Sequence, residues 1–562
     1  MATITMKGEF FMLYEKPYKS RRISFLNLMI TLCFIALAAR LWYIAHIDGP
    51  YFAAAAVNQR RHDMETRNVR GRIYDRNMLP LTEAETGLSI AVSAEILEQS
   101  PQFTAELLQN LDLTQEELTD KVPPAGIRLL PLNTIDSNFI NAAEQAGTRI
   151  ISTQRRYSDA GIANHVIGYS PQNDDTAGFG LERAFNGILS GGRERIGIIR
   201  DGADGGFPIA NLGQARSISH EPGGLRLTLD FHMQQAVESV MDDLIERGAV
   251  IVTDVQTGDI LAMASRSNFS QNNLSDHLQS ADGELLNRAI TAFDAGSIFK
   301  IVTAAAAIEH GLINDDTHFF CGGYIEIEGL RFNCNNRYGH GRITFEQAFA
   351  YSCNIPFYRL GMALGYDVIN EYSQKFGLDA IVLNYENFGE QAGLLPSRRH
   401  ISNSLLANMS IGQGDTLLTP LQVANMINIV ANDGVAISLN LVDAFVDRFG
   451  NIQENFRTND NQRVIRESTA RKLQQLMSST VAFGTGTRAR PENFTAAGKT
   501  SSAETGWMEN GALKIHAWFA GYTPAENPRF AITVFVQNGR RGATSAAPVF
   551  KEVSDRLFAI GR

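Results

Sequence analysis

A nearly continuous apolar run close to the N-terminus, Ser24 to His46 (SFLNLMITLCFIALAARLWYIAH), constrains this chain more than any other feature. As a helix it is long enough to cross a hydrocarbon layer about 30 Å thick. Arg40 is the only Lys or Arg within it and lies near its outer end, from where it can snorkel to the interface. Trp42 and Tyr43 fall where an interfacial aromatic belt belongs, and Lys7, Lys16, Lys19, Arg21 and Arg22 form a basic flank of the kind that stays in the cytoplasm. A cleaved signal peptide is the competing reading, with AAAAV at Ala53 to Val57 as its small-residue cleavage site. The retained anchor is preferred because a signal peptide's apolar core is shorter. This predicts a cytoplasmic tail over 1–23, a membrane helix over 24–46 and an extracytoplasmic remainder. No second long apolar run follows, so a single-pass protein is expected.

At 562 residues the chain is too long for one compact domain. Its net charge of -10 lacks the basic footprint of a nucleic-acid binder. Four cysteines are present, Cys33, Cys321, Cys334 and Cys353. They lack C-x-x-C spacing and a histidine cluster, so neither a metal nor a cofactor is expected. Cys321 and Cys334 bracket a hairpin-like stretch, and outside the cytoplasm they can form a disulfide or stay as two free thiols.

Between Tyr51 and about Glu221 short strand-like and helical patches alternate with loops. Within them, Arg70 to Asn77 (RGRIYDRN) reads as a strand whose arginines need acidic partners, Glu182 being one candidate. Standing alone, such a segment is as well read as a solvated, charged edge strand. After Pro222-Gly-Gly224 the pattern changes. Leu225 to Asp230 alternates like a strand and Phe231 to Arg247 has helical spacing. Gly248 to Val255 and Asp259 to Ala264, flanking Gln-Thr-Gly, form a hairpin pattern. A largely helical middle follows, and strand-like runs return at Ala517 to Tyr522 and Phe530 to Val536. Strands at both ends enclosing helices predict one α+β domain, starting near residue 225, whose sheet draws on distant parts of the chain.

The central chemical signal lies in Asp294 to His310 (DAGSIFKIVTAAAAIEH). Its bland reading is a capping Ser297 followed by a snorkelling lysine. Its functional reading uses the spacing: residues i and i+3 share a helical face, so the Lys300 amine can reach the Ser297 hydroxyl. A lysine buried near another cation can lose its proton at neutral pH and act as a base. Taken alone, S-x-x-K is weak because it recurs by chance. Ser352-Cys-Asn354 lies in an apolar and aromatic run (AFAYSCNIPFYRLG), where polar groups need a reason for burial. Ser352 can shuttle a proton between Lys300 and a leaving amine, and the Asn354 amide can bind Lys300 and a substrate carbonyl. In Ala497 to Ala503 (AGKTSSA), a strand would turn Lys499 and Ser501 to one face and Thr500 and Ser502 to the other. Lys499 would add cationic field, and Thr500 could hold a carboxylate. The backbone N–H groups of Ser297 and Ser502 could form an oxyanion hole, often worth about 3 kcal/mol per donor. By itself this segment is also an ordinary polar strand.

The order S-x-x-K, S-x-N, K-T-x resembles the motif set of penicillin-binding proteins and serine β-lactamases. Over nearly its full length the chain resembles the monofunctional, class B penicillin-binding proteins, D,D-transpeptidases of peptidoglycan synthesis. RGRIYDRNMLPLT, HVIGY and GLERAFNGILSG resemble pieces of that family's non-catalytic pedestal. GAVIVTDVQTGDILAMAS, GSIFKIVTAAAAIEHGLI and SIGQGDTLLTPLQVANMINIVANDG resemble its catalytic domain. The resemblance implies an extended pedestal over 47–224 and a transpeptidase domain over 225–562, an antiparallel sheet with helices on both sides. It implies a Ser297 acyl-enzyme, stem peptides ending in D-Ala-D-Ala as substrates, and β-lactams as ligands. Too little chain separates anchor from pedestal for a glycosyltransferase domain, which implies a separate glycan polymerase as partner, typically of SEDS type. Where the family's third motif normally reads K-T-G, this chain has Lys499-Thr500-Ser501 followed by Ser502, and Ala295 stands where proline is common before Gly296. Glycine at the Ser501 position lets substrate and backbone approach closely. The Ser501 side chain either crowds the site or turns away. That departure keeps open a weakly active homologue serving as scaffold or activator of its polymerase, beside a D,D-carboxypeptidase using the same motifs.

Overall fold

The computed structural model describes residues 17–122, 127–132, 135–148, 150–171, 178–199, 216–218, 222–278, 280, 282–458, 460–509 and 511–560. These divide into two compact units. One is drawn from within Met1–Glu65, Ile90–Ile151 and Arg195–Ser217, the other from within Thr66–Ser89, Ser152–Glu194 and Ile218–Arg562.

In the first unit a helix, α1 (Pro17–His46), contains the apolar stretch Arg21–His46, long and apolar enough to cross a membrane. Its apolar side chains, such as Phe25, Phe34 and Leu41, are exposed rather than buried in a protein core. Lys7 and Lys16 of the basic flank lie outside the described residues. Further along, Ile90, Val92, Phe103, Leu107, Leu118 and Phe139 form a separate small core. The helices around it start on side-chain caps, Ser93 for Ala94–Gln99, Thr114 with Glu117 for Gln115–Lys121, and Asp136 for Ser137–Gln145. Each cap satisfies backbone N–H groups that a helix start leaves unpaired.

The second unit is built on a five-stranded sheet. In chain order its strands are β1 (Gly248–Asp254), β2 (Ile260–Arg266), β3 (Ala497–Glu509), β4 (Ala512–Thr523) and β5 (Phe530–Val536). They pair antiparallel in the order β2-β1-β5-β4-β3, so two hairpins far apart in sequence close one sheet. Side-chain alternation makes both faces apolar. Trp518, Ala520, Tyr522, Ala531 and Phe535 join one core, with α3 (Lys300–Glu309), α5 (Pro420–Ala431) and α6 (Glu467–Ala482). Ala517, Phe519, Phe530, Ile532 and Val534 join another, with α2 (Phe231–Leu244) and α7 (Ala547–Ile560). Against α3 packs the long helix α4 (Asn354–Lys375). This is the predicted α+β layering, with helices on both sides of an antiparallel sheet.

The RGRIYDRN segment belongs to this unit. Ile73 and Tyr74 pair in parallel with Leu225 and Arg226 at the edge of a four-stranded sheet. The acidic partner expected for Arg70 is Glu182: Arg70 Nε donates to Glu182 Oε2 at 2.8 Å, and Arg156 Nε donates to Oε1 at 2.7 Å. Glu182 is wholly buried. Burial alone would raise its pKa, but the two guanidiniums outweigh it and hold the carboxyl below its ordinary range.

Cys321 and Cys334 do flank a hairpin, Tyr324–Ile327 paired with Leu330–Asn333. They are free thiols, and the sulfur 3.7 Å from Cys334 is that of Cys353. Of the two alternatives for this pair, the structure has the unbonded one.

Candidate active site

Ser297 lies in a short 3-10 turn, Gly296–Phe299, that leads directly into α3. The tightness of this turn explains Gly296, whose φ is +55°. A Cβ there would stand 2.4 Å from Ser501 Oγ and 2.9 Å from Ala503 Cβ. The turn is tied down from three directions. Gly296 N donates to Gly412 O at 2.7 Å and Ala295 N to Thr416 O at 3.2 Å. Trp518 Nε1 donates to Asp294 O at 3.0 Å, and Ser501 Oγ to Ala295 O at 2.8 Å.

The bland reading of Ser297 as a helix cap does not hold. The capping positions are Ala295 and Phe299, without side-chain caps, and the Ser297 hydroxyl makes no hydrogen bond among the described residues. The residue is half-buried. Nor does Lys300 snorkel: it is completely buried in α3, as is Lys499 in β3.

Lys300 Nζ donates to Ser352 O at 2.8 Å, Ser352 Oγ at 3.2 Å and Asn354 Oδ1 at 2.7 Å. Lys499 Nζ donates to the same Ser352 Oγ at 2.9 Å. The Ser352 hydroxyl therefore bridges two amines. Its backbone is left-handed, with φ +58°, which lets the turn before α4 aim both Ser352 and Asn354 at Lys300. No carboxylate among the described residues contributes to the field on either lysine. Burial pushes Lys300 down to about 8, partly offset by the Cys353 and Cys334 sulfurs. Burial, and then the charge of Lys300, push Lys499 well below its ordinary value. A buried amine without a counter-ion gives up its proton because its charged form is the one desolvation penalises.

The remaining motif residues line β3. Thr500 Oγ1 lies 2.6 Å from Thr485 Oγ1, and Ser502 Oγ accepts from Gly542 N at 3.1 Å. Ser501 neither fills the site nor faces away; it is spent on the Ala295 carbonyl. Three contributors were not singled out from the sequence: Thr485, Gly412 and Trp518. Gly412 carried a signal, a glycine in SIGQGD, and its φ of +72° brings it against Gly296 O, where a Cβ would stand 2.1 Å away.

Comparison with known proteins identifies the family. Residues 248–555 match the family model "Penicillin binding protein transpeptidase domain". The chain is 27% identical over 620 residues to "Peptidoglycan D,D-transpeptidase MrdA" of Acinetobacter baumannii, covering 96% of this chain and 88% of that protein. Among solved structures, penicillin-binding protein 3 of Mycobacterium tuberculosis complexed with aztreonam superposes with a TM-score of 0.63 at 25% identity, covering 89% of this chain and 97% of that one. A chain from a structure described as "Structural coordination of polymerization and crosslinking by a peptidoglycan synthase complex" gives 0.67 at 23% identity, covering 96% and 98%. With S-x-x-K, S-x-N and K-T-x meeting at one buried pair of lysines, and a family model spanning more than half its length, the chain belongs to the penicillin-binding protein transpeptidase family.

Proposed function

We propose that this chain is a serine D,D-transpeptidase that cross-links peptidoglycan stem peptides. The observation that carries the proposal is the Ser352 hydroxyl shared by two buried amines, one of them that of Lys300, three residues after Ser297. Ser297 Oγ attacks the carbonyl between the two terminal D-alanines, and Lys300 in its neutral form takes the hydroxyl proton. The Ser352 hydroxyl passes a proton from Lys300 to the departing D-alanine amine. The Lys499 amine, which donates to the same hydroxyl at 2.9 Å, orients that relay. Backbone N–H groups of Ser297 and Ser502 meet the developing oxyanion, Asn354 holds the substrate amide, and Thr500 and Ser501 border the strand along which the peptide lies. An amine of a second stem then attacks the acyl-enzyme, forming the cross-link and releasing Ser297. β-Lactams acylate the same serine.

The apolar helix α1 supports anchoring in the membrane, with the transpeptidase unit on the outer side and the chain from 47 to 224 serving as pedestal. A membrane glycan polymerase of SEDS type is the partner this arrangement fits, since cross-linking needs newly made strands.

Acylation by labelled penicillin tests the assignment. Wild type should form a covalent adduct and Ser297→Ala none; an adduct in the variant would sink it. With stem-peptide substrates, dimeric product supports transfer to an amine. Release of D-alanine without dimer would make the protein a carboxypeptidase.

A further inference from the structure

The residue between Ser352 and Asn354 belongs to a second cluster. The Sγ atoms of Cys321, Cys334 and Cys353 and a ring nitrogen of His340 all lie within 4.8 Å of one another. Cys334 Sγ is 3.7 Å from Cys353 Sγ and 3.5 Å from His340 Nδ1. A tetrahedral Zn²⁺, with Zn–S near 2.3 Å and Zn–N near 2.0 Å, separates its ligand atoms by about 3.5–3.8 Å. The cysteines and His340, which form no cluster in the sequence, are brought together by the fold. The four ligands are spread over three segments of chain, a pattern no C-x-x-C search detects.

Backbone geometry holds the cluster together. Cys334 N donates to Gly323 O at 2.8 Å and His340 N to Cys321 O at 3.1 Å. Gly339, at φ +80°, packs so closely that a Cβ would stand 2.3 Å from Cys321 O. The His340 ring stacks on Tyr351, with centroids 5.9 Å apart. All three cysteines are buried, and soft thiolates with one imidazole suit zinc over calcium or magnesium.

We propose that Cys321, Cys334, His340 and Cys353 bind one Zn²⁺ in a closed structural site that fixes the Ser352–Asn354 turn. Binding displaces the three thiol protons to solvent. The cross-link would join the strand His318–Cys321 and the Tyr324–Asn333 hairpin to the turn before α4. Other bonds already follow that path: Asn354 Nδ2 donates to Asn333 O at 3.0 Å and Asn335 Nδ2 to Tyr351 O at 3.0 Å. Ser352, held left-handed at φ +58°, needs such outside support. The positioning role rests on the transpeptidase reading; metal binding itself does not.

The test uses the full chain purified in detergent, with thiol reductant and without chelator. Metal analysis should find about one zinc per chain, and Co²⁺ added to metal-depleted protein should give the absorption of a tetrahedral cobalt thiolate. Cys321→Ser and His340→Ala should each lose the metal and slow penicillin acylation about tenfold or more, whereas His340→Cys should keep both. Reduced wild type without zinc or a cobalt spectrum would overturn the site, as would a metal-free protein holding a Cys334–Cys353 disulfide. Zinc loss with unchanged acylation would overturn the positioning role. Zinc present in a wild type that no penicillin acylates would leave the site standing and count against the transpeptidase reading alone.

Discussion

The Ser501 hydroxyl donates to the Ala295 carbonyl across 2.8 Å, tying the edge strand β3 to the turn that presents Ser297. Family members with glycine at this position have no side chain with which to form that bond. Ser501→Gly removes it and loosens the strand. The expected cost is about 1–2 kcal/mol of stability. Acylation should slow by about threefold to tenfold, because the nucleophile's turn loses a fixed neighbour. Thermal denaturation and single-turnover labelling with fluorescent penicillin measure the two effects. Faster acylation in the variant would mean that the side chain crowds substrate more than it steadies the turn.

The acylation rate should depend on pH through Lys300, whose burial pushes it down to about 8. Neutral Lys300 is the base, so the second-order acylation constant should rise with pH up to about 8 and level off above it. A lysine at its ordinary value would leave the rate still climbing past pH 10. Lys300→Ala should lower the constant by about 10²- to 10⁴-fold and abolish the rising limb.

Glu182 is buried between Arg70 and Arg156. Glu182→Gln removes the carboxylate charge that Arg70 and Arg156 share, leaving Arg156 the more distant Glu83 at 3.9 Å, and should destabilise the protein by about 3–5 kcal/mol, read from urea unfolding. Since its folded pKa lies below the ordinary 4.5, the wild-type contribution is fully present above 4.5 and is lost as pH falls through the folded value. The variant should lack that acid-side loss.

The helix α1 should behave as a true anchor. The full chain should stay with membranes through alkaline carbonate washing, and protease added to intact spheroplasts should digest residues beyond 46 while sparing the short N-terminal tail. Release by carbonate would favour a cleaved leader instead.

Much of the fold was legible in the residues. Apolar runs in Gly248 to Ala264 and in Ala517 to Val536 predicted the sheet strands, because a strand buried on both faces needs apolar side chains at nearly every position. The spacing of Ser297 and Lys300, about one helical turn, was legible, whereas the bonds Lys300 makes, to Ser352 and Asn354, were decided by packing. The use of Ser501 was not, because its direction depends on how closely β3 approaches Gly296 from two hundred positions away.

By itself, then, the sequence determined the apolar N-terminal helix, the sheet's composition and the identity of the motif residues. These follow from length, periodicity and local spacing, which one segment carries alone. Only the tertiary structure decided that two lysines share Ser352, that Ser501 holds the nucleophile's turn, and that three cysteines and a histidine converge beneath Asn354. Such contacts arise when distant segments are packed into one dense core, where side-chain direction and the space left by glycines fix what touches.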